Sequence, residues 1–213
     1  AILSLGFLAL IVMGTVLLSL PIATIQPISI LAAAFTATSA VTVTGLNVVD
    51  TANYTTFGQL VIAALIQFGG LGFMTFAILV LTSLQGKMGL SGSITAQEAL
   101  GTHSNQIGST AKAVIKIAFI TESLGFLGLT LLLAPLKGLK DAMYEAFFLC
   151  ISAFNNAGFA LNGNNMTAYV HQPMISFIIS LLIITGGIGF LVILDIIKHK
   201  RWQKFTLHTK VMV

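Results

Sequence analysis

The chain has 213 residues, of which 56% are hydrophobic and only 8% charged, with a mean hydropathy of +1.00, whereas charged residues make up about a quarter of a soluble globular domain. That balance describes an integral membrane protein of about four spanning helices and excludes any sizeable extramembrane domain, since each crossing takes roughly 20 apolar residues. Ten Lys and Arg against six Asp and Glu give a net charge of +4; in a membrane chain that excess reports topology, and no nucleic-acid partner is expected.

The chain opens on a helix already under way, without Met or a basic leader, so a trimmed or truncated N-terminus is expected. Ile2 to Leu20 is an uncharged run of 19 residues stopped by Pro21, long enough for a span. Next comes an apolar segment, about Ile28 to Ala40, too short to cross, running into Val41-Thr42-Val43-Thr44-Gly45. A longer apolar stretch from Phe57 to Leu84 carries GGLGF, Gly69 to Phe73, and a polar connection follows from Gln85 to Ser109.

The second half repeats the order. Ala113 to Leu136 reads as a span, Asp141 to Ala153 as a short segment running into Phe154-Asn155-Asn156-Ala157-Gly158, and Met174 to Leu194 as a span carrying GGIGF, Gly186 to Phe190. Ser39-Ala40 matches Ser152-Ala153 and Gly45 matches Gly158 at an offset of 113, and the GGLGF and GGIGF motifs match at 117. Three landmarks with one four-residue insertion mark an internal duplication. The fold expected is an all-α membrane protein of tandem span, re-entrant pore loop, span units around an ion pore. Residues 1–86 form the first unit, 87–112 a cytoplasmic connection, 113–197 the second unit and 198–213 a basic cytoplasmic tail.

Lys87, Lys112 and Lys116 flank the connection and Lys198, Lys200, Arg201, Lys204 and Lys210 follow the last span, which leaves only Lys137 and Lys140 elsewhere. The positive-inside rule therefore puts connection and tail in the cytoplasm and both short segments, with Asp50, Asp141 and Glu145, on the outside.

Irregular backbone at membrane depth survives only where protein or a wet cavity receives its polar groups. A half-length helix entering from outside aims its partially negative C-terminus at a point where a cation is stabilised. Thr42, Val43, Thr44 and Gly45, with Asn155, Asn156, Ala157 and Gly158, are then the candidate ion ligands through their backbone carbonyls, the glycines supplying angles closed to other residues. Carbonyls without a carboxylate favour a monovalent ion over calcium or magnesium, and potassium leads.

FTATSAVTVTGLNVVDT, IQFGGLGFMT and ISAFNNAGFAL together resemble the Trk/Ktr/HKT superfamily of potassium transporters, its bacterial Ktr membrane subunits above all, over nearly the whole chain. The resemblance implies four such units in one polypeptide around a single pore, with Gly45 and Gly158 as filter glycines of the first two. It further implies potassium as the transported ion, sodium as a second or coupled ion, a homodimer, and a cytoplasmic nucleotide-binding regulatory subunit docking on the face that carries the tail. The missing half of the ring is expected either from two remaining repeats or from a second chain. Gating, which the family builds into its third repeat, falls on no residue here.

Other residues carry weaker readings. Glu122 is a candidate intramembrane polar site, open either to ion passage or to a structural partner such as Lys116 or a hydroxyl or backbone group. Asp195 beside Lys198 and His199 reads as an interfacial charge pair. The GGLGF and GGIGF glycines read as close helix packing before hinges. The four histidines have no metal-ligand spacing, Cys150 is a bland apolar residue, and the triplets at Asn53 and Asn165 are chance glycosylation matches. KHKRWQK reads first as an anchor at the lipid surface and second as a docking surface. A dimeric two-pore-loop channel is the alternative, weakened because neither loop resembles TVGYG. An intramembrane enzyme or scaffold is a distant third, as no nucleophile and base recur at useful spacing.

Overall fold

The computed structural model describes residues 2–72, 107–188, 190–199, 202, 205 and 207–212. Phe73 to Leu84, the connection as far as residue 106, and Lys200, Arg201 and Lys204 of the tail lie outside the described residues. Among the described residues the chain is helical with no strand, its one isolated bridge joining Thr24 to Tyr54.

Helix α1, Ile2–Leu18, is apolar all round, and Leu5, Leu8, Val12 and Val16 remain exposed on it. Such a helix suits a lipid-facing position. α2, Ile30–Val41, begins at Ser29, whose hydroxyl accepts from the Ala32 N–H at 3.2 Å. Its buried face is made of small residues, Ala33, Ala37 and Ala40, so that Gly14 of α1 comes against Ala37 and Leu65. α3, Thr56–Gly70, is capped by the Thr55 hydroxyl. The loops before α2 and before α3 are strapped together: Thr55 Oγ1 donates to the Ile22 carbonyl at 2.6 Å and the Tyr54 hydroxyl to Thr36 at 3.1 Å.

α4, Ile107–Lys137, contains Lys112–Lys137, the one helix among the described residues long and apolar enough to cross a membrane by itself. Gly138, at φ +83°, turns the chain into α5, Leu139–Phe154. After the 3-10 turn Asn165–Tyr169 come α6, Pro173–Gly187, α7, Phe190–His199, and the short α8, Leu207–Met212. The segment from Met174 to Leu194, expected as a span, is made of two helices. The helix stops at Gly187 and resumes at Phe190, because two consecutive glycines are poor helix formers and Gly186 is pressed against the Phe154 carbonyl.

The buried side chains form two clusters. Leu18, Ala37, Ile62 and Ile66 centre the first, and Leu129, Leu133, Ala146 and Ile175 the second. α5 joins them, sending Phe148 and Ile151 into the first cluster while Ala146, Leu149 and Cys150 face the second.

Candidate ion-coordinating segments

The two short helices end in the same way. Thr42 closes α2 by donating its N–H to the Thr38 carbonyl at 2.9 Å; Val43 follows at φ +53° and donates to Ala40, and Thr44 reaches back to Ser39 at 2.9 Å. In α5, Asn155 donates to Ile151 at 3.1 Å, Asn156 follows at φ +57° and donates to Ala153, and Ala157 reaches Ser152 at 2.7 Å. This is a Schellman cap in both places, with the left-handed residue at C′. It moves the end of each short segment one residue on from Ala40 and Ala153: Val41 and Phe154 are the last helical residues, and Thr42-Val43 and Asn155-Asn156 are turn. Asparagine accepts the left-handed region readily, whereas Val43 carries a strain of about 1–3 kcal/mol.

Two residues past each left-handed turn stands a glycine with positive φ, Gly45 at +82° and Gly158 at +73°. The two meet. A Cβ on Gly45 would lie 2.5 Å from the Ala157 carbonyl oxygen and 3.4 Å from the Gly158 Cα, and a Cβ on Gly158 would lie 3.6 Å from the Gly45 Cα. All eight candidate ligands therefore fall on two backbone segments in direct contact, with Thr42, Thr44, Asn156 and Gly158 exposed on their open side. Both glycines line a cavity of about 80 Å³ edged by Asn47, Asp50, Asn162 and Asn165.

The GGLGF and GGIGF glycines bear on the same helix ends. A Cβ at Gly69 would overlap the Val41 carbonyl, and one at Gly186 the Phe154 carbonyl. Close packing is thus what these glycines permit, as their spacing implied; Phe73 and Gly189 lie outside the described residues.

Side-chain supports differ between the segments. In the first, the Thr42 hydroxyl bonds the Thr38 carbonyl and the Thr44 hydroxyl, each at 2.7 Å, while the buried Ser39 hydroxyl has no hydrogen-bond partner among the described residues. In the second, Ser152 donates to the Phe159 carbonyl at 2.6 Å and Asn165 to the Gly158 carbonyl at 3.4 Å. Asn155 donates to both the Ile151 carbonyl and Gln67 Oε1 at 2.9 Å. Gln67 Nε2 in turn donates to Glu122 Oε2 at 3.1 Å, so the hydrogen-bond partner of Glu122 is an amide on α3 rather than Lys116.

Two supports escape a reading of the sequence. Glu145 is buried, 5% exposed, and accepts from Lys137 at 2.6 Å, Asn162 at 2.9 Å and the Tyr169 hydroxyl. Burial and the neighbouring carboxylate push the Tyr169 hydroxyl above the usual tyrosine range. The available signal was helical spacing, since Glu145 shares a face with Ala142, Leu149 and Ser152. Gln59, accepting from Tyr144 at 2.7 Å and donating to the Thr51 carbonyl at 3.0 Å, ties α3 to α5. Asp195 pairs with His199 at 2.6 Å as its spacing implied.

Comparison with known proteins gives the family. The family model described as "TrkH: Cation transport protein" matches residues 2–210. The Ktr system potassium uptake protein B of Bacillus subtilis is 46% identical over the whole of this chain, which covers 48% of that protein. Its namesake in Vibrio alginolyticus is 40% identical over 98% of this chain, covering 47% of that relative. The potassium/sodium uptake protein NtpJ of Enterococcus hirae is 37% identical over 97% of this chain and 47% of its own length. The chain thus spans about half the length of these relatives, all named as uptake proteins and none as an enzyme. With a family match running from one end of the described helices to the other, the chain belongs to the TrkH family of cation transport proteins, a family of membrane transporters.

Proposed function

We propose that this chain forms two of four span, pore-loop, span units of a potassium uptake protein, and that the segments ending at Gly45 and Gly158 supply half of its selectivity filter. The observation that carries the proposal is the recurrence of one backbone design at an offset of 113: a helix C-terminus, a left-handed cap, then a positive-φ glycine, with the two glycines in contact. Helix C-termini bring partial negative charge to the point where the segments meet, and carbonyl oxygens replace a cation's water shell. The ligands are the carbonyls of Thr42, Val43, Thr44 and Gly45 and of Asn155, Asn156, Ala157 and Gly158. Potassium is the transported ion, supported by the names of the relatives; one of them, named for potassium and sodium, supports sodium as a second or coupled ion.

The relatives are about twice as long as this chain, which leaves room for two further units in one polypeptide and favours that arrangement over a ring built from two two-loop chains. In this reading both short helices enter from outside, the basic residues from Lys198 to Lys210 face the cytoplasm beside the lipid headgroups, and the complete protein works as a homodimer with a nucleotide-binding regulatory subunit on that face. The expression "Ktr system" in the relatives' names supports a partner component. Reconstitution of the complete transporter in liposomes tests the reading: potassium flux that sodium does not equal is expected, and flux indifferent to the two ions overturns it.

A further inference from the structure

Glu122, Gln67 and Asn155 come from α4, α3 and α5 and are separated by 55 and 88 positions in the chain, yet they form one continuous line of side-chain hydrogen bonds ending at the cap of α5. From this we infer that Glu122 and Gln67 are positioning residues for the segment Asn155 to Gly158, setting its ion selectivity without touching the ion. The inference rests on the filter reading above and goes beyond it by assigning the intramembrane acid a task.

The line has a direction. Gln67 turns its amide nitrogen toward Glu122 and leaves its own oxygen for Asn155, the one arrangement open to it when Glu122 is ionised, since a carboxylate oxygen only accepts. Asn155 must then turn its nitrogen toward Gln67, and the same nitrogen reaches the Ile151 carbonyl at 2.9 Å. Its Oδ1 is left against Gly70, where a Cβ would overlap it. One acid thereby fixes the orientation of two amides, the second of which belongs to the residue capping the short helix. A side-chain amide that could flip would exchange a donor for an acceptor one residue before the left-handed Asn156.

Surroundings strengthen the line. Glu122 Oε1 is buried with no hydrogen-bond partner among the described residues, and the residue borders a cavity of about 190 Å³ walled by Phe119, Phe126 and Phe147. Hydrogen bonds in poorly solvated surroundings are stronger than those in water. The line also braces one of the two segments and not the other. At the duplication offset of 117 the counterpart of Gln67 is Ile184, 53% exposed, and at 113 the counterpart of Asn155 is Thr42, which bonds locally. A side-chain brace found at one segment is not a requirement of the repeated backbone, which its counterpart adopts without it.

The experiment measures potassium and sodium uptake by the complete transporter carrying Gln67→Leu, Glu122→Met, or both, with Gly158→Ser alongside. Loss of one hydrogen bond predicts a fall in potassium over sodium discrimination of about threefold to tenfold for each single variant. The double variant should be no worse than Gln67→Leu, because that substitution already interrupts the line. A role in stability alone would instead lower uptake of both ions in proportion to protein abundance, with additive losses. If Gln67→Leu does not reach the membrane, Glu122→Met, which keeps the side chain's length and takes away the oxygen that accepts from Gln67, decides. Unchanged or additive discrimination with Gly158→Ser impaired overturns the inference alone; unchanged discrimination in Gly158→Ser overturns the filter reading beneath it.

Discussion

Gly45→Ser and Gly158→Ser should both impair ion discrimination, and not equally. Each glycine lies in the left-handed region, at φ +82° and +73°, where a residue with a Cβ incurs about 1–2 kcal/mol, equivalent to roughly five- to thirtyfold in an equilibrium. At Gly158 that is the whole expected effect, since the nearest atom to a new Cβ is the Gly45 Cα at 3.6 Å. At Gly45 the new Cβ would also stand 2.5 Å from the Ala157 carbonyl oxygen, so a candidate ligand of the other segment must retreat by roughly 0.9 Å to reach the usual van der Waals separation of about 3.4 Å. The serine at position 45 should therefore cost more discrimination than the serine at position 158. Gly138→Ser is the control: its φ of +83° imposes the same strain, nothing lies within 4 Å of its Cβ, and it is far in sequence from both segments, so it should lower stability and leave discrimination alone. Competitive potassium and sodium uptake in cells lacking other potassium transporters reads all three variants. Equal loss in Gly138→Ser, or greater loss at position 158 than at 45, would refute the reasoning.

Cysteines introduced at the exposed Asn47 and Asn164, in a Cys150→Ala background, should react with an impermeant thiol reagent in intact cells, while one at Ser93 should not; the opposite pattern reverses the orientation. Glu145→Ala should lower the melting temperature of the detergent-solubilised transporter, because three donors lose their acceptor and the hydroxyl of the buried Tyr169 is left unsatisfied at a cost of about 1–3 kcal/mol, whereas Asp141→Ala, at an exposed position of the same helix, should barely move it. Replacing the basic residues between Lys198 and Lys210 with glutamine should weaken nucleotide-dependent control more than basal flux; regulator capture that is untouched in a pull-down would leave the segment as a lipid anchor only.

What could be read from the sequence is what local chemistry decides. An uncharged run ended by Pro21 becomes α1, the short segments become α2 and α5, and Ser39 and Ser152 accept corresponding cap hydrogen bonds because the chain repeats itself there. The cap was illegible in the first unit, since a β-branched valine is among the last residues expected at φ +53°; only tertiary contact keeps it there. The break after Gly187 was hidden because the residues on both sides are apolar, so hydropathy continues where the helix does not. Partners of buried polar groups were beyond reach for a different reason. Glu122 has Lys116 on its own helix six positions away, but Gln67 reaches it only because α3 and α4 both pack against α5. Glu145 finds Lys137 across a turn and Tyr169 across a loop, and no local pattern encodes those distances.

The two segments also explain how one backbone design tolerates unlike side chains. Thr42-Val43-Thr44-Gly45 and Asn155-Asn156-Ala157-Gly158 share only the glycine, yet their cap hydrogen bonds correspond one for one. If the ion is held by carbonyls, this is the expected outcome, because every residue type brings the same ligand and only the glycine angle is restricted. The side chains are then free to take up support. In the first segment they bond to one another, threonine to threonine. In the second, Asn155 reaches outward to Gln67, and neighbouring side chains bond the backbone there, Ser152 to the Phe159 carbonyl and Asn165 to that of Gly158. A site whose ligands were carboxylates could not diverge in this way, since its chemistry would reside in the very side chains that differ.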